Sequence, residues 1–242
     1  MKMNDSAYGK YGDWKGWTER GFGQCDSSTA RYFVAELLSA GLWPLPGRRL
    51  LELGFGNGEF AHWSTEQGAL YCGIEKLDEL VSAGHAAGYR VFSSESDLED
   101  HLGASSLDGI VAFDVFEHLD VNQLHQTLGE LNTYLRPGGL IVGRVPSGDS
   151  PFARAIQYGD ITHKSVLGSS AIHQVAARCG LEVLQVREPA FPIGRQGLMP
   201  LLRRGAVKVA RAVAFPVLRS IFLGNSRAVL TPNMVFVLRK PD

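Results

Sequence analysis

A glycine-rich loop with a carboxylate downstream gives the clearest chemical signal in the sequence. The string LELGFGNGEF, residues 51–60, has glycines at positions 54, 56 and 58. Closely spaced glycines let a backbone turn sharply and approach a ligand without Cβ clashes, and the helix expected after them offers free N–H groups. Glu75 follows Gly54 by 21 residues, at the expected end of the next strand, where a carboxylate can accept both ribose hydroxyls of an adenosine. The pattern therefore predicts a site for an adenosine-containing ligand.

Two classes of ligand share this layout, and Glu59 separates them. A dinucleotide site places its third glycine five residues after the first, but position 59 is a glutamate here and the third glycine is Gly58. A carboxylate at position 59 would repel a pyrophosphate. S-adenosylmethionine (SAM) contains no phosphate, so the loop favours SAM. A glycine-rich surface turn without a ligand is the remaining interpretation, and the motifs that follow argue against it.

Four strings occur in the order LELGFGNGEF, GIE ending at Glu75, FDVFEHL at 113–119 and LRPGG at 135–139. Together they resemble the ordered motifs of class I SAM-dependent methyltransferases over residues 48–146. The resemblance implies that the Gly54–Gly58 loop passes under the methionine and ribose portions of SAM and that Glu75 binds the ribose hydroxyls. The cofactor-binding residues implied in this way are Glu52, Gly54, Phe55, Gly56, Gly58, Glu75, Phe113 and Asp114.

The same resemblance gives roles to the rest of the cofactor site. It implies that the segment Phe113–Asp114 closes over the methionine end and that Glu52 helps to hold the ammonium group. The family often places an acidic or polar residue after the third strand, where it meets the adenine. The stretch SSESDLED at that point leaves Ser94, Glu95 and Asp97 as open alternatives.

A dense polar segment, RVPSGDSPFARAIQYGDITHKSVLG, follows the expected fifth strand over residues 144–168. Polar side chains next to the carboxyl edge of a sheet are typical of a site for a polar substrate. The substrate-binding candidates in this segment are Arg144, Asp149, Arg154 and Gln157.

The polar segment also supplies candidates for catalysis. Methyl transfer to a hydroxyl is an in-line attack that needs alignment and removal of one proton. His163 and Asp160 are three residues apart and could form a base with its orienting carboxylate. His118, beside Glu117, is the alternative base, and its other interpretation is a residue that shapes the cofactor pocket. His163, Asp160 and Asp149 could instead hold a metal, but such residues are common in loops, and we predict no metal.

A narrower resemblance concerns the acceptor. The arrangement above, together with WKGW at 14–17 and PNMVFVLRKP at 232–241, resembles methyltransferases of bacterial surface-polysaccharide and O-antigen pathways. It implies O-methylation of a hydroxyl on a sugar or on a nucleotide- or lipid-linked glycan. The alternatives are methylation of a membrane-soluble small molecule such as a quinone, and a binding module that keeps the fold without turnover. Trp14 and Trp17 could stack on a sugar or act as a lid, or they could anchor the N-terminal arm to the core.

These residues need a scaffold, and alternating apolar strands and amphipathic helices predict one. We expect a Rossmann-like, doubly wound α/β sheet of seven mostly parallel strands, with a helical insertion before the last strand. Residues 1–24 form an N-terminal arm or lid, 25–190 the SAM-binding core, and 191–242 a basic helical segment plus the final strand. The first core helix should be capped near Asp26 or Ser27, run to Ala40 and end at Gly41. Its predicted inward-facing residues are Phe33, Val34, Leu37 and Leu38.

Composition places the chain among soluble globular proteins. It has 242 residues, of which 45% are apolar and 20% charged, and these values are ordinary for a folded domain. Its three cysteines lie far apart without a CxxC pair, which argues against a disulfide framework or a zinc site and favours the cytoplasm. The N-terminus lacks the apolar region of a secretory signal, and no stretch is long and apolar enough to suggest a spanning helix.

The charge is divided unevenly along the chain. Residues 1–188 carry 15 basic and 24 acidic side chains, whereas the last 54 residues have a net charge of +8. Residues 198–223 combine basic and aliphatic side chains at helical spacing, which is typical of a helix on an anionic membrane surface, here the inner face. Packing against the sheet, an acceptor-pocket cap and a dimer contact are the alternatives. Pro216 should kink or split this helix. We expect no nucleic acid partner, because aromatic residues are not interleaved with the basic ones.

Overall fold

The computed structural model describes residues 15–17, 21–94, 96–99, 101–190, 198–224 and 226–242. Trp14 and Glu95 lie outside these residues. The strands are β1 (Arg49–Leu53), β2 (Leu70–Ile74), β3 (Val91–Phe92), β4 (Leu107–Phe113), β5 (Leu135–Pro146), β6 (Glu182–Arg187) and β7 (Asn233–Arg239). The α-helices are α1 (Ser27–Ala40), α2 (Glu59–Glu66), α3 (Asp78–Ala86), α4 (Ser96–Glu99), α5 (Val121–Tyr134), α6 (Arg154–Gln157), α7 (Ser169–Arg178) and α8 (Leu198–Phe222).

The seven strands form one sheet in the order β3-β2-β1-β4-β5-β7-β6. Strand β7 runs antiparallel to both β5 and β6, and the other pairs are parallel. The predicted Rossmann-like, seven-stranded sheet is therefore confirmed. The strand order reverses between β1 and β4, and open α/β sheets bind their ligands at such a switch point, outside the carboxyl ends of the strands.

The sheet is buried on both faces, and alternate residues of each strand serve different cores. On β7, Met234, Phe236 and Leu238 pack in one apolar cluster, whereas Val235 and Val237 pack in the other. Successive side chains of a strand point to opposite faces, so a strand covered on both sides needs a continuous apolar run. This requirement explains why the central strands read as unbroken apolar stretches in the sequence.

Helix α1 begins and ends where the sequence predicts, but one of its predicted inward residues is wrong. The Asp26 carboxylate accepts hydrogen bonds from the backbone N–H groups of Ser28 (2.6 Å) and Thr29 (2.9 Å). Leu38 is 62% exposed. The buried stripe instead contains Glu36, which accepts a hydrogen bond from the Ala190 N–H at 2.7 Å and pairs with Arg187. A buried carboxylate with two partners takes a place that an apolar pattern assigns to leucine or valine.

Helix α8 is one continuous helix that includes Pro216, so of the two predicted effects of this proline, a kink or a split, the split is wrong. A proline inside a helix removes one backbone hydrogen bond, which is a small part of the bonding in 25 residues. Of the α8 side chains that the structure describes, Phe215 alone is buried, and Val209, Val213 and Ile221 are about two thirds exposed. Most of the described α8 side chains therefore lie in solvent rather than against the sheet.

Membrane-spanning segments were searched for among the described residues. None of the helices in that part of the chain combines the length and the hydropathy that a transmembrane segment requires.

The cap of α1 gives a stability prediction. We expect Asp26→Ala to lower the free energy of unfolding by about 1 kcal/mol, because two backbone N–H groups lose their acceptor. Asp26→Ser should recover most of this loss, since a serine hydroxyl also caps a helix. Denaturant unfolding of the three proteins measures the difference, and equal stability of the alanine and wild-type proteins would contradict the prediction.

Candidate active site

The glycine loop lies at the carboxyl end of β1 in a backbone conformation that other residues rarely adopt. Gly54 and Gly58 have φ angles of +69° and +73°. A Cβ atom on Gly54 would lie 2.6 Å from Cγ2 of Val115, and one on Gly58 would lie 2.6 Å from the ring of Phe22. Both positions therefore require glycine for their conformation and for the close approach of a neighbouring side chain.

Glu75 directly follows β2 and is tied to the glycine loop. Its carboxylate accepts hydrogen bonds from the backbone N–H groups of Gly56 (3.0 Å), Lys76 (2.7 Å) and Leu77 (3.2 Å). A carboxylate has about four acceptor positions, and these bonds use three of them, so Glu75 retains capacity for a ligand hydroxyl. The sequence predicted its place at the end of the strand, and the structure adds the bond that fixes it to the loop.

A cavity of about 550 Å³ opens above the loop. It collects six of the residues that the sequence predicts for the cofactor or the substrate, and Glu59 also lines it. The predicted residues in its wall are Glu52, Gly54, Phe55, Gly56, Phe113 and Arg144. Trp17 lines the same cavity, and its ring carbon Cζ2 lies 3.0 Å from where a Cβ on Gly56 would be. The glycines expose their backbone to the cavity, and Glu52 before the loop and Glu59 after it add carboxyl groups to the wall. Such a wall suits a ligand that has a positive charge and no phosphate.

Glu52 is a buried carboxyl group in the wall of this cavity. It accepts a hydrogen bond from the Tyr71 hydroxyl at 2.8 Å. Burial raises the pKa of Glu52 to about 8, the Tyr71 hydrogen bond opposes this shift, and the nearby charges of Glu75 and Glu59 add to it. Because burial penalises the charged form, a cationic ligand group beside Glu52 would favour its ionisation.

Arg144 and Asp114 form a bidentate ion pair at the edge of the cavity. Arg144 Nε donates to Asp114 Oδ1 at 3.0 Å, and the second guanidinium nitrogen contacts the other carboxylate oxygen. The guanidinium lies 5.3 Å from the ring centroid of Tyr32 and 5.2 Å from that of Phe113. Asp114 has a φ of +58°, an uncommon value for a residue other than glycine, and such residues cluster at functional sites.

Two of the predicted site residues meet in this contact. Arg144 lies on β5 in the wall of the glycine-loop cavity, and Asp114 directly follows β4 with its carboxylate facing Arg144. Because β4 and β5 are parallel neighbours in the sheet, two residues 30 positions apart in the sequence come together there. Substrate binding by Arg144 and closure of the Phe113–Asp114 segment over the methionine end stay predictions.

The three predicted catalytic residues come together in one cluster, with Glu117 beside them. His163 Nε2 lies 3.8 Å from Asp160 Oδ2 and 3.9 Å from Glu117 Oε1, and the His163 and His118 ring centroids are 4.8 Å apart. His118 Nδ1 lies 2.9 Å from the Thr162 hydroxyl. We refer to Glu117, His118, Asp160 and His163 as the histidine cluster.

Electrostatics and burial distinguish the members of the histidine cluster. Burial raises the pKa of Glu117 well above its usual value and lowers that of His118. Burial also acts to raise the pKa of Asp160, but the hydrogen bonds from Thr162 and the charges of His163 and Lys15 lower it overall. Sequence reasoning missed Glu117 as a functional residue, and its position next to His118 was the available signal.

One ion pair connects the histidine cluster to the glycine-loop cavity. Lys15 lines that cavity, and its Nζ lies 3.6 Å from Asp160 Oδ2. The candidate acid–base groups are therefore adjacent to the cavity that holds the predicted cofactor residues.

The remaining substrate-binding candidates lie elsewhere, and two of them have structural bonds. Asp149 accepts hydrogen bonds from the backbone N–H groups of Ser169 (3.0 Å) and Val229 (3.2 Å), so the metal set of His163, Asp160 and Asp149 is not formed. Gln157 is buried, and its amide donates to the Ser165 carbonyl at 3.1 Å. A polar side chain in a turn often bonds to nearby backbone, and the sequence pattern does not distinguish this use from ligand binding.

A second cavity, of about 600 Å³, lies between the polar segment and the end of α8. Asp149, Arg154 and Gln157 are among its lining residues, and the Arg154 guanidinium lies 5.9 Å from the ring centroid of Tyr158. The other lining residues are Ser147, Gly148, Ser150, Pro151, Phe152, Ala153, Tyr158, Val166, Leu218, Phe222, Leu223 and Leu230.

Comparison with known proteins places this fold and site in a family. The family model described as a methyltransferase domain matches residues 25–186, more than half of the chain. A curated relative, the ribosomal RNA small subunit methyltransferase H of Rhizobium meliloti (strain 1021), is 34% identical over 106 residues. That stretch covers 39% of this chain and 31% of the relative, so the chain spans less than a third of that protein's length.

Solved structures share the fold at low sequence identity. A SAM-dependent methyltransferase from Archaeoglobus fulgidus is 19% identical with a TM-score of 0.61, and the match covers 87% of this chain and 94% of that one. A methyltransferase solved in complex with the Haloferax volcanii Trm112 activator is 15% identical with a TM-score of 0.62, covering 98% and 97%. The chain therefore belongs to the methyltransferase-domain family and is a SAM-dependent methyltransferase with the class I fold.

Proposed function

We propose that the protein O-methylates a hydroxyl group of a sugar or of a nucleotide- or lipid-linked glycan. The observation that carries the proposal is the histidine cluster beside the glycine-loop cavity, connected to it by the Lys15–Asp160 pair at 3.6 Å. A hydroxyl is a weak nucleophile at neutral pH, so its methylation needs a group that removes or polarises its proton. His163 and His118 are the groups in a position to do so.

The glycine-loop cavity fits SAM. Glu75 would bind the ribose hydroxyls, the loop would hold the adenosine and methionine portions, and Glu52 would hold the ammonium group. When bound, SAM supplies an electrophilic methyl group on a sulfonium. The protein's own contribution is to align that methyl with the acceptor oxygen and to accept the acceptor's proton.

The second cavity supports an acceptor with polar and apolar parts. Serine and arginine side chains of the polar segment form one side, and Leu218, Phe222 and Leu223 at the end of α8 form the other. Phe152 and Tyr158 in its wall are more than half exposed. A lipid-linked glycan combines these properties, and the same wall leaves room for the quinone-like acceptor as the second candidate.

We also propose that α8 contacts an anionic membrane surface. Its described aliphatic side chains are exposed at intervals from Leu202 to Ile221, and the stretch between Glu188 and Asp242 contains basic residues without acidic ones. An exposed helix with these two properties gains free energy from apolar contact with lipid and from attraction to anionic head groups. This placement would bring the second cavity close to a lipid-linked acceptor.

The pKa of Glu52 gives a prediction for pH dependence. Because its folded-state pKa is raised from 4.5 to about 8, the contribution of Glu52 to stability is fully present below about pH 4.5 and is lost as the pH rises from there through about 8, with a slope of up to about 1.4 kcal/mol per pH unit. We expect Glu52→Gln to unfold with less pH dependence over this range. SAM affinity should rise with pH in the wild type and vary little in the variant.

Denaturant unfolding at several pH values and calorimetric titration with SAM measure these two effects. Glu79→Gln, which changes an exposed glutamate on α3, is the matched control. Parallel pH profiles for the wild type and Glu52→Gln would contradict the assignment.

The reaction itself is tested with methyl-labelled SAM and a panel of acceptors: nucleotide sugars, lipid-linked oligosaccharides and a quinol. We expect label in a glycan, recovered as an O-methyl sugar after acid hydrolysis. His163→Ala should lower turnover by roughly 100-fold or more, because a group that acts on the acceptor proton is lost. Label found in the quinol alone, or His163→Ala turnover near that of the wild type, would contradict the respective part of the proposal.

The membrane contact is tested by co-sedimentation with vesicles containing anionic lipid at low salt. Lys208→Glu should weaken binding roughly tenfold, because a basic residue near such a surface contributes about 1 kcal/mol and reversal adds repulsion. Arg178→Glu, the same charge change on an exposed residue of α7, is the control and should bind like the wild type. Absence of binding by the wild-type protein, or equal weakening by both substitutions, would refute the contact.

A further inference from the structure

The histidine cluster contains three groups in a geometry close to that of metal ligands. One ligand atom each of Glu117, His118 and His163 lie within 4.8 Å of one another. Ligand atoms that share one ion at bond lengths of about 2.1 Å lie at most about 4.2 Å apart. A shift of about half an ångström in these side chains would therefore bring all three into contact with the same ion.

Glu117 provides an independent sign of a missing partner. Its side chain is 1% exposed, and within the part of the chain that the structure describes neither carboxylate oxygen has a hydrogen-bond partner. Its distance of 3.9 Å from His163 Nε2 is too long for a hydrogen bond. A buried carboxylate without a partner is unfavourable by several kcal/mol, and a bound cation is one of the two usual remedies.

The hydrogen-bond network orients both imidazoles for metal binding. The Thr162 hydroxyl has one proton and donates it to Asp160 Oδ1 at 2.5 Å, so at its 2.9 Å contact with His118 Nδ1 it accepts. His163 Nδ1 donates to the Gln157 carbonyl at 2.9 Å. Both contacts require a proton on Nδ1, so in the neutral form of each ring the lone pair lies on Nε2. Metal-binding histidines are commonly held in this way, with the other ring nitrogen bonded to a protein oxygen.

We propose that Glu117, His118 and His163 bind a divalent first-row transition-metal ion. Two imidazoles and one carboxylate suit Mn²⁺, Fe²⁺, Co²⁺ or Zn²⁺ better than Ca²⁺ or Mg²⁺. Asp160 is not one of the proposed ligands. Its hydrogen bond with Thr162 helps to orient His118. This set differs from the one that the sequence suggested, which contained Asp149, and it replaces the expectation that the protein binds no metal.

Three protein ligands leave coordination positions open, and this part of the inference rests on the proposed function. An acceptor hydroxyl bound there would be more acidic than in water. Its O–H bond breaks and the proton passes to solvent. The oxygen lone pair then forms the new O–CH₃ bond while the S–CH₃ bond of the donor breaks, and the electron pair of that bond stays on sulfur as a thioether. His163 would then act as a ligand rather than as the proton acceptor.

The test uses full-length protein stripped with a chelator and titrated with Co²⁺ alone, followed by calorimetry and by visible absorption of the bound ion. We expect one ion per chain. Glu117→Gln, which preserves side-chain shape, and His163→Ala should each weaken binding by on the order of 100-fold. His125→Ala, which removes an exposed histidine on α5, is the matched control and should leave affinity unchanged. SAM titration of each variant reports whether its cavity is folded.

The outcomes separate this proposal from the proposed function. Absence of Co²⁺ binding, or binding that Glu117→Gln and His163→Ala leave unchanged in proteins that still bind SAM, overturns the metal site. Co²⁺ binding that depends on Glu117, without methyl transfer to any glycan, supports the site and overturns the glycan acceptor. Glycan methylation that is as fast in the chelator-stripped protein as after Co²⁺ addition overturns the role of the ion in catalysis.

Discussion

The turn after β1 and the turn after β4 touch each other, and their contact leaves room for no side chain at residue 54. Val115 occupies the space where a Cβ on Gly54 would lie. This close approach brings the glycine loop against the segment that follows β4. The bond from Gly56 to Glu75 then connects the loop to the end of β2. The ends of β1, β2 and β4 are in this way held together at the switch point of the sheet. The cavity is the space above them.

The charged groups of this cavity differ in whether they already have a partner of opposite charge. Arg144 is already neutralised by Asp114, which stays in a left-handed conformation to meet it. Glu52 is in no ion pair with another residue that the structure describes, and its pKa is raised mainly by burial. A cationic ligand near Glu52 therefore changes the protonation of the site as well as filling it. The Lys15–Asp160 ion pair joins the wall of this cavity to the histidine cluster.

Two parts of the molecule contain groups whose usual interactions are missing among the described residues: the histidine cluster and α8. The Glu117 carboxylate is buried without a hydrogen-bond partner among the described residues, and α8 exposes aliphatic side chains that a folded core would bury. A cation would satisfy the first, and a lipid surface would satisfy the second. The second cavity lies between the polar segment, which carries Asp160 and His163 at its end, and the last turns of α8. The second cavity is therefore bordered by α8, whereas the histidine cluster is joined to the glycine-loop cavity through Lys15.

The sequence by itself determined the strands, most helix boundaries, the glycine loop and the place of Glu75. These features depend on local rules: apolar runs for strands buried on both faces, a capping carboxylate at Asp26, and glycines where φ is positive. Tertiary structure alone decided that Asp149 caps a helix, that Arg144 pairs with Asp114 and that Leu38 is exposed. It also decided that the Glu117 carboxylate is buried without a hydrogen-bond partner among the residues that the structure describes. Each of these outcomes depends on a neighbour that is remote in sequence. Periodicity specifies which side of an element faces inward on average, and it does not specify which group from another element lies there.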